Sequence, residues 1–77
     1  MMTVKEMAAR THISVRTLHH YDAIGLLRPT EISPAGYRLY DEKALERLYL
    51  ILLVRVFLTV FGISEHQISL FLLHIVD

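Results

Sequence analysis

The sequence contains no cysteine, which excludes disulfide frameworks, thiolate chemistry and zinc sites built on cysteine. A reducing cytoplasm is compatible with this composition. The longest apolar run, Leu48 to Phe61, spans 14 residues and is interrupted by Arg55, whereas a membrane-spanning helix needs about 20. The N-terminal residues also lack the basic and apolar segments of a secretory signal. We therefore expect neither a disulfide scaffold nor a membrane protein.

The formal net charge is zero, because the eight Lys and Arg residues balance the eight Asp and Glu residues. The total charge therefore gives no argument for a polyanionic partner. Its distribution is uneven, since all eight basic residues lie at or before Arg55, together with six of the acids. A chain of 77 residues forms one domain at most and buries only about 60% of its unfolded surface. Because 53% of the residues are hydrophobic, we expect more apolar side chains than that core can hold.

Two short helices are predicted near the N terminus, over about 4–24. Thr3 is followed three residues later by Glu6, which is the spacing of a helix-capping box. We expect the first helix to end at His12 in the left-handed region, where histidine is among the tolerated residues. Ser14 then provides an N-cap for a second helix whose apolar residues recur at helical intervals.

A short antiparallel wing is predicted after the helix pair. Gly25 is a natural helix stop, and the following Arg28-Pro29 pair must be extended. A proline-bearing loop then leads to GYRLY, residues 36–40, whose alternation suits a strand. We therefore expect two strands over about 32–40.

Two further helices are predicted over about 41–61 and 64–75. Asp41 caps the first of them, Gly62 ends it, and Ser64 with Gln67 has the spacing of a second capping box. The inward residues expected of the long helix are Leu45, Leu48, Leu52 and Val56 or Phe57, widened by Ile51 and Leu53. Those expected of the last helix are Ile68, Phe71, Leu72 and Ile75.

The stretch RTHISVRTLHHYD, residues 10–22, concentrates hydrogen-bonding side chains on the second helix of the pair. Two helices joined by a tight turn form a helix-turn-helix, in which the second helix enters the major groove of DNA. Arginine can donate twice to guanine there, and threonine can contact a base edge or methyl group. The alternative is that these side chains are only the solvated face of an amphipathic helix.

Two strings of this sequence, SVRTLHHYDAIGLLRP and AGYRLYDEKALERL, closely resemble the N-terminal DNA-binding domain of the MerR family of bacterial transcription regulators. The resemblance is closest to its multidrug- and thiopeptide-responsive branch, and it extends from Thr3 to Ile51. It implies a mainly α fold, a winged helix-turn-helix with a small two-stranded wing and two further helices. It also implies a dimer on palindromic double-stranded promoter DNA, which is bent and untwisted so that RNA polymerase can engage it.

The resemblance also implies which residues touch DNA. Major-groove contacts are expected from Arg16, Thr17 and His20. Backbone contacts are expected from Tyr21 of the helix and from Tyr37, Arg38 and Tyr40 of the wing. For Tyr21 and Tyr40 burial of the ring in the core is the alternative.

The sequence departs from the family pattern after Ile51. The glycine that follows the long helix comes about four residues late, roughly one helical turn, and the last helix is apolar where the family is charged. The family's dimerisation helix and effector domain do not fit in the residues that remain. We therefore expect a single domain over 1–77 that is a fragment or a naturally truncated protein.

Other classes of function are less well supported by the sequence. There is no Ser/His/Asp ordering, phosphate loop or metal-ligand spacing, so we expect no enzyme, no cofactor and no metal site. An interaction module that pairs with a longer relative is one alternative. A recombination directionality factor, which bends DNA without acting on polymerase, is another.

Overall fold

The computed structural model describes residues 1–75, which form four helices and a small antiparallel sheet. In chain order the elements are β1 (Met2–Thr3), α1 (Val4–Thr11), α2 (Val15–Ala23), β2 (Glu31–Ile32), β3 (Arg38–Tyr40), α3 (Glu42–Val60) and α4 (Glu65–Ile75). Across these residues no helix combines the length and the apolar character needed to cross a bilayer.

Capping interactions fix both ends of α1. The backbone N–H of Glu6 donates to Thr3 Oγ1 at 3.2 Å, and the backbone N–H of Thr3 donates to Glu6 Oε1 at 3.0 Å. His12 follows the helix in the left-handed region with φ of 59°. The predicted capping box and the predicted role of His12 are both confirmed, and the tight turn brings α2 directly against α1.

Helix α2 is also defined by local signals at both ends. The backbone N–H of Thr17 donates to Ser14 Oγ at 3.0 Å, which confirms Ser14 as the N-cap. After the helix, Gly25 has φ of +77°. The backbone N–H of Leu26 donates to the Tyr21 carbonyl at 2.9 Å, closing a Schellman motif. The chain can then turn away from α2 toward the wing.

The sheet has three strands in the order β1-β3-β2, all antiparallel. The sequence predicts only the β2–β3 wing, and the structure adds β1, in which Met2 is paired with Tyr40. Met2 is almost fully buried, so joining the sheet removes an apolar side chain from water. The wing turns at Gly36, whose backbone N–H donates to the Ser33 carbonyl at 2.8 Å.

One hydrophobic core joins the helix pair, the sheet and the first half of α3. Its largest fully buried side chains are Met7, Leu18, Leu26, Leu27, Tyr40, Leu48, Ile51, Ile68 and Leu72. Ile68 and Leu72 come from α4, which packs on α3. The core therefore holds α2 and the wing in one fixed arrangement.

The predicted inward stripe of α3 is confirmed only in its first half. Leu45, Leu48 and Ile51 are buried, and Leu52 is partly buried. Leu53, Val56 and Phe57 are exposed, so their predicted inward placement is wrong. After Ile51 the inward side of the helix continues through Arg55 and Leu58, at the spacing of three and four residues that keeps one face.

The α3–α4 corner shows the predicted glycine stop and one of the two hydrogen bonds of the predicted Ser64–Gln67 capping box. Gly62 has φ of +77°, and the Gln67 backbone N–H donates to Ser64 Oγ at 3.4 Å. Phe71 of α4 is 46% exposed, so its predicted inward placement is wrong. The side chain of Ile75 lies outside the part of the chain that the structure describes.

Candidate nucleic-acid interface

Helix α2 presents one polar face to solvent. Arg16, His19 and His20 are exposed, whereas Leu18 and Tyr21 on the other side are buried. At about 100° per residue, Arg16 and His20 lie close together on this outward face. The structure therefore brings two of the predicted DNA contacts onto one accessible surface.

Thr17 lies at the edge of this face and is partly buried. Its Oγ1 accepts a hydrogen bond from Ser14 Oγ at 2.9 Å. Because Ser14 also caps the helix, the N-terminal turn of α2 is held rigid where it would approach a base edge. The methyl group and hydroxyl of Thr17 are placed by the same contact.

The wing is tied to α2 through a charged pair. Arg38 Nε donates to Asp22 Oδ2 at 2.8 Å, and the two side chains are 35% and 18% exposed. Arg28 approaches the other oxygen of the same carboxylate, with Nη1 4.0 Å from Oδ1. Two guanidinium groups therefore flank one carboxylate, which leaves a net positive charge beside α2.

Tyr37 lies at the tip of the wing with 68% of its surface exposed. Its backbone N–H donates to Ser33 Oγ at 3.0 Å, and its carbonyl accepts from the Ser33 backbone N–H at 2.8 Å. These bonds fix the backbone while the aromatic side chain projects outward. A tyrosine hydroxyl in this position can donate to a phosphate.

Tyr40 is fully buried, which favours the alternative of a ring in the core over the predicted contact with the DNA backbone. The ring is 0% exposed, and within residues 1–75 the hydroxyl has no hydrogen-bond partner. Burial raises the pKa of this hydroxyl, and the Asp22 charge raises it further while Arg38 opposes the change. Arg38 and Tyr40 share one face of β3 because they are two residues apart. At the Arg38 end of that face the side chain bonds to Asp22 of α2 and is 35% exposed.

Tyr21 is likewise a core residue, which favours the buried-ring alternative over the predicted phosphate contact. The residue is 3% exposed, and its hydroxyl accepts a hydrogen bond from Arg55 Nη1 at 2.9 Å. Tyr21 lies three residues after the buried Leu18 and therefore on the same inward side of α2. On that side its hydroxyl contacts Arg55 of α3. The hydroxyl therefore joins two helices of the same molecule.

Arg55 is a structural residue that the sequence analysis does not identify. Its guanidinium donates to Tyr21 through Nη1 and forms an ion pair with Glu65 through Nη2. One side chain thus connects α2, α3 and α4. The sequence feature that indicates partial burial of Arg55 is its spacing, because it lies four residues after Ile51 and three before Leu58 on the inward side of the helix.

The described residues give no sign of a metal centre. Within residues 1–75 no three His, Asp or Glu side chains are arranged to hold a metal ion. A surface depression of about 750 Å³ lies between the loop after α2 and the start of α3 and is lined by residues of both charges, including Arg28, Lys43 and Glu46. The exposed polar surface of α2 and the wing remains the best candidate site.

Comparison with known families agrees with this geometry. Residues 3–40 match the profile of the MerR family regulatory protein. This part of the chain belongs to the MerR family. The MerR match covers the helix pair and the wing, the two elements that form the candidate interface.

Relatives of this MerR domain are transcription regulators. It is 57% identical over 53 residues to the HTH-type transcriptional regulator SkgA of Caulobacter vibrioides, covering 69% of this chain and 21% of that protein. It is 51% identical over 53 residues to the HTH-type transcriptional activator TipA of Streptomyces coelicolor, with the same coverage of 69% and 21%. The chain therefore spans about a fifth of the length of these curated relatives.

A solved MerR structure has the same fold. The crystal structure of MtaN, the N-terminus of the Bacillus subtilis multidrug transporter activator, matches with a TM-score of 0.71 at 44% identity. The match covers 88% of this chain and 60% of that one. The predicted fold class, a mainly α winged helix-turn-helix, is confirmed, with a third strand added to the wing sheet.

Proposed function

We propose that this chain binds promoter DNA sequence-specifically as the DNA-binding domain of a MerR-type transcription regulator. The observation that carries the proposal is the exposed face of α2 beside a wing that is fixed to the same helix by Arg38 and Asp22. In this arrangement α2 enters the major groove and the wing lies along the adjacent backbone. Specificity comes from α2, and the wing sets its register on the duplex.

Each candidate contact has a distinct role in this proposal. Arg16 donates to a guanine edge, Thr17 contacts a base edge or thymine methyl, and His20 lies against the same groove. Tyr37 and Arg38 donate to phosphates, which carry no sequence information. Contacts on both sides of the groove give the protein a hold on the backbone.

A hold of this kind suits a regulator that distorts its promoter. Bending a binding site costs on the order of 1 to 6 kcal/mol, which the additional contacts made possible by the bend must offset. We propose that the full regulator acts as a dimer in the bacterial cytoplasm and presents the distorted promoter to RNA polymerase. The similarity to the MtaN structure supports an assignment to the multidrug-responsive branch.

Two arginine substitutions test the proposal. The probe is the duplex population enriched by the parent chain from a randomised library, and affinity is measured by fluorescence anisotropy over a series of KCl concentrations. Arg16→Ala should cost about 1–3 kcal/mol and relax sequence choice at one position, because it removes a base contact. Arg38→Ala should weaken all sequences alike and lower the slope of log K against log salt by about 1.

The contrast between the two variants is the decisive result. Equal affinities for parent, Arg16→Ala and Arg38→Ala, with no dependence on salt, would contradict DNA binding by this surface. Polymerase action is tested separately by transcription in vitro from an enriched site. A protein that bends the site without changing transcription would instead act as an excisionase-like DNA-bending factor.

A second candidate function rests on the apolar surface of α3. Leu53, Val56, Phe57, Val60 and Phe61 are all at least 60% exposed, and an apolar surface of this kind is typical of a protein contact. In this alternative the chain is an interaction module that pairs with a longer MerR relative. Sedimentation with such a relative and no DNA distinguishes the two functions, because only the interaction module forms a complex under those conditions.

A further inference from the structure

Asp22 is the acidic residue at the centre of the candidate interface. It accepts from Arg38 Nε at 2.8 Å and lies 4.0 Å from Arg28 Nη1. Within residues 1–75 its bond to Arg38 is the side-chain hydrogen bond that joins α2 to the wing. Its side chain is only 18% exposed, so the contact is partly shielded from water and from salt.

The geometry of an arginine explains what this contact does. A guanidinium has five N–H donors in a rigid planar fork, and a bond through Nε fixes the plane while the Nη donors stay available for an acceptor. An untethered arginine side chain has about 2 kcal/mol of rotamer entropy to lose on binding. Holding it in place before DNA arrives removes part of that cost.

We propose that Asp22 is a positioning residue that holds the Arg38 guanidinium in the orientation in which it meets a DNA phosphate. This inference rests on the proposed DNA-binding function and adds a residue that touches no DNA itself. The carboxylate also sets the angle between the wing and α2. Base contacts and backbone contacts are thereby held at one fixed separation.

The proposal makes a prediction whose sign differs from simple electrostatics. Removing an acidic side chain makes the protein more positive, and that change alone strengthens binding to a polyanion. If Asp22 positions Arg38, Asp22→Ala should instead weaken binding. Glu31 provides the matched control, because it is an exposed acid on the wing strand β2, and Glu31→Ala removes the same charge without touching Arg38.

The experiment measures anisotropy of a fluorescein-labelled duplex of mixed sequence, two to three helical turns long, over a series of KCl concentrations. Mixed sequence suffices because phosphate contacts do not depend on the bases. Asp22→Ala is expected to bind roughly three- to tenfold more weakly than the parent, with the salt slope reduced by about 0.9. Glu31→Ala is expected to bind at least as tightly as the parent with the slope unchanged.

Conservative variants separate positioning from loss of fold. Asp22→Asn keeps an oxygen that can accept from Arg38 Nε, so its salt slope should stay at the parent value. Partial unfolding lowers the active fraction but leaves the salt slope unchanged, so the slope distinguishes loss of positioning from loss of fold.

If Asp22→Ala does not fold, Arg38→Lys tests the proposal instead. A lysine replaces the planar fork by a point charge, so this variant should lose affinity. Tighter binding by Asp22→Ala with an unchanged slope, or parent-like binding by Arg38→Lys, would overturn the proposal.

Failure of the proposed function is distinguishable from failure of this inference. If the parent shows no salt-dependent binding, the DNA-binding assignment fails. The position of Arg38 is then followed in the free protein by the NMR signal of its Nε–H, which should be protected from exchange in the parent and exposed in Asp22→Ala. Equal exchange in the two proteins would show that Asp22 does not hold the guanidinium.

Discussion

Replacing Tyr40 by phenylalanine tests the assignment of this residue to the core. The ring is fully buried, and within residues 1–75 the hydroxyl has no hydrogen-bond partner. A buried hydroxyl without a partner costs about 1–3 kcal/mol, because it loses its bonds to water and gains none in return. Tyr40→Phe keeps the ring contacts and removes the hydroxyl, so we expect the variant to be more stable than the parent.

The expected gain in stability of Tyr40→Phe is taken from the lower end of the cost of an unpartnered buried hydroxyl, about 1–3 kcal/mol. A gain of about 1 kcal/mol raises the Tm of a domain of 60–100 residues by roughly 4–8 °C. Thermal unfolding followed by circular dichroism measures this shift directly. DNA affinity of Tyr40→Phe should equal that of the parent, because a buried hydroxyl cannot reach a phosphate.

Tyr37→Phe is the matched control, since it makes the same chemical change on an exposed side chain at the wing tip. The free energy of unfolding of Tyr37→Phe should stay within about 0.5 kcal/mol of the parent value. Its DNA-binding free energy should weaken by the net contribution of one hydrogen bond, about 0.5–1.5 kcal/mol. A loss of stability or of DNA affinity in Tyr40→Phe would refute the argument. Either result would mean that the hydroxyl has a partner in solution.

Two further predictions concern the connection between helices and the response to acid. Arg55→Met removes the donor to the Tyr21 hydroxyl and should lower the free energy of unfolding by about 1–3 kcal/mol, measured by urea denaturation, whereas Glu65→Gln should cost less than about 1 kcal/mol. Capping hydrogen bonds lower the pKa of Glu6 below 4.5 and of Asp41 below 3.8. Their contribution is therefore present above those values and lost as the pH falls through the lower folded-state pKa values. Glu6→Gln and Asp41→Asn should both flatten the acid limb of stability against pH, and an unchanged limb would contradict the capping argument.

The parts of the fold that sequence analysis predicts correctly depend on short-range signals. The capping box at Thr3, the left-handed residue His12 and the helix stop at Gly25 each involve residues within a few positions of one another. A hydrogen bond between near neighbours is determined by residue type and spacing. Helix ends are therefore predictable here from the sequence alone.

The errors concern contacts between residues that are far apart in the sequence. Met2 pairs with Tyr40 across the sheet, and nothing in either local segment indicates the pairing. Tyr21 and Tyr40 contain both an apolar ring and a polar group, so their types permit either a phosphate contact or burial. Only the packing of β3 and α3 against α2 decides between the two. Arg16 and Tyr37 are exposed, and their contacts with DNA stay a prediction.

Two charged residues, Asp22 and Arg55, make side-chain contacts that connect separate elements of this domain. Asp22 on α2 bonds to the wing, and Arg55 on α3 bonds to both α2 and α4. An apolar residue at either position would contribute burial but no fixed angle, since hydrophobic contacts are not directional. A hydrogen-bonded charge fixes distance and orientation together. A protein that reads bases with one element and contacts phosphates with another depends on that fixed relation. Under the proposed function, we therefore expect both side chains to affect DNA affinity through the positions of the elements that they join.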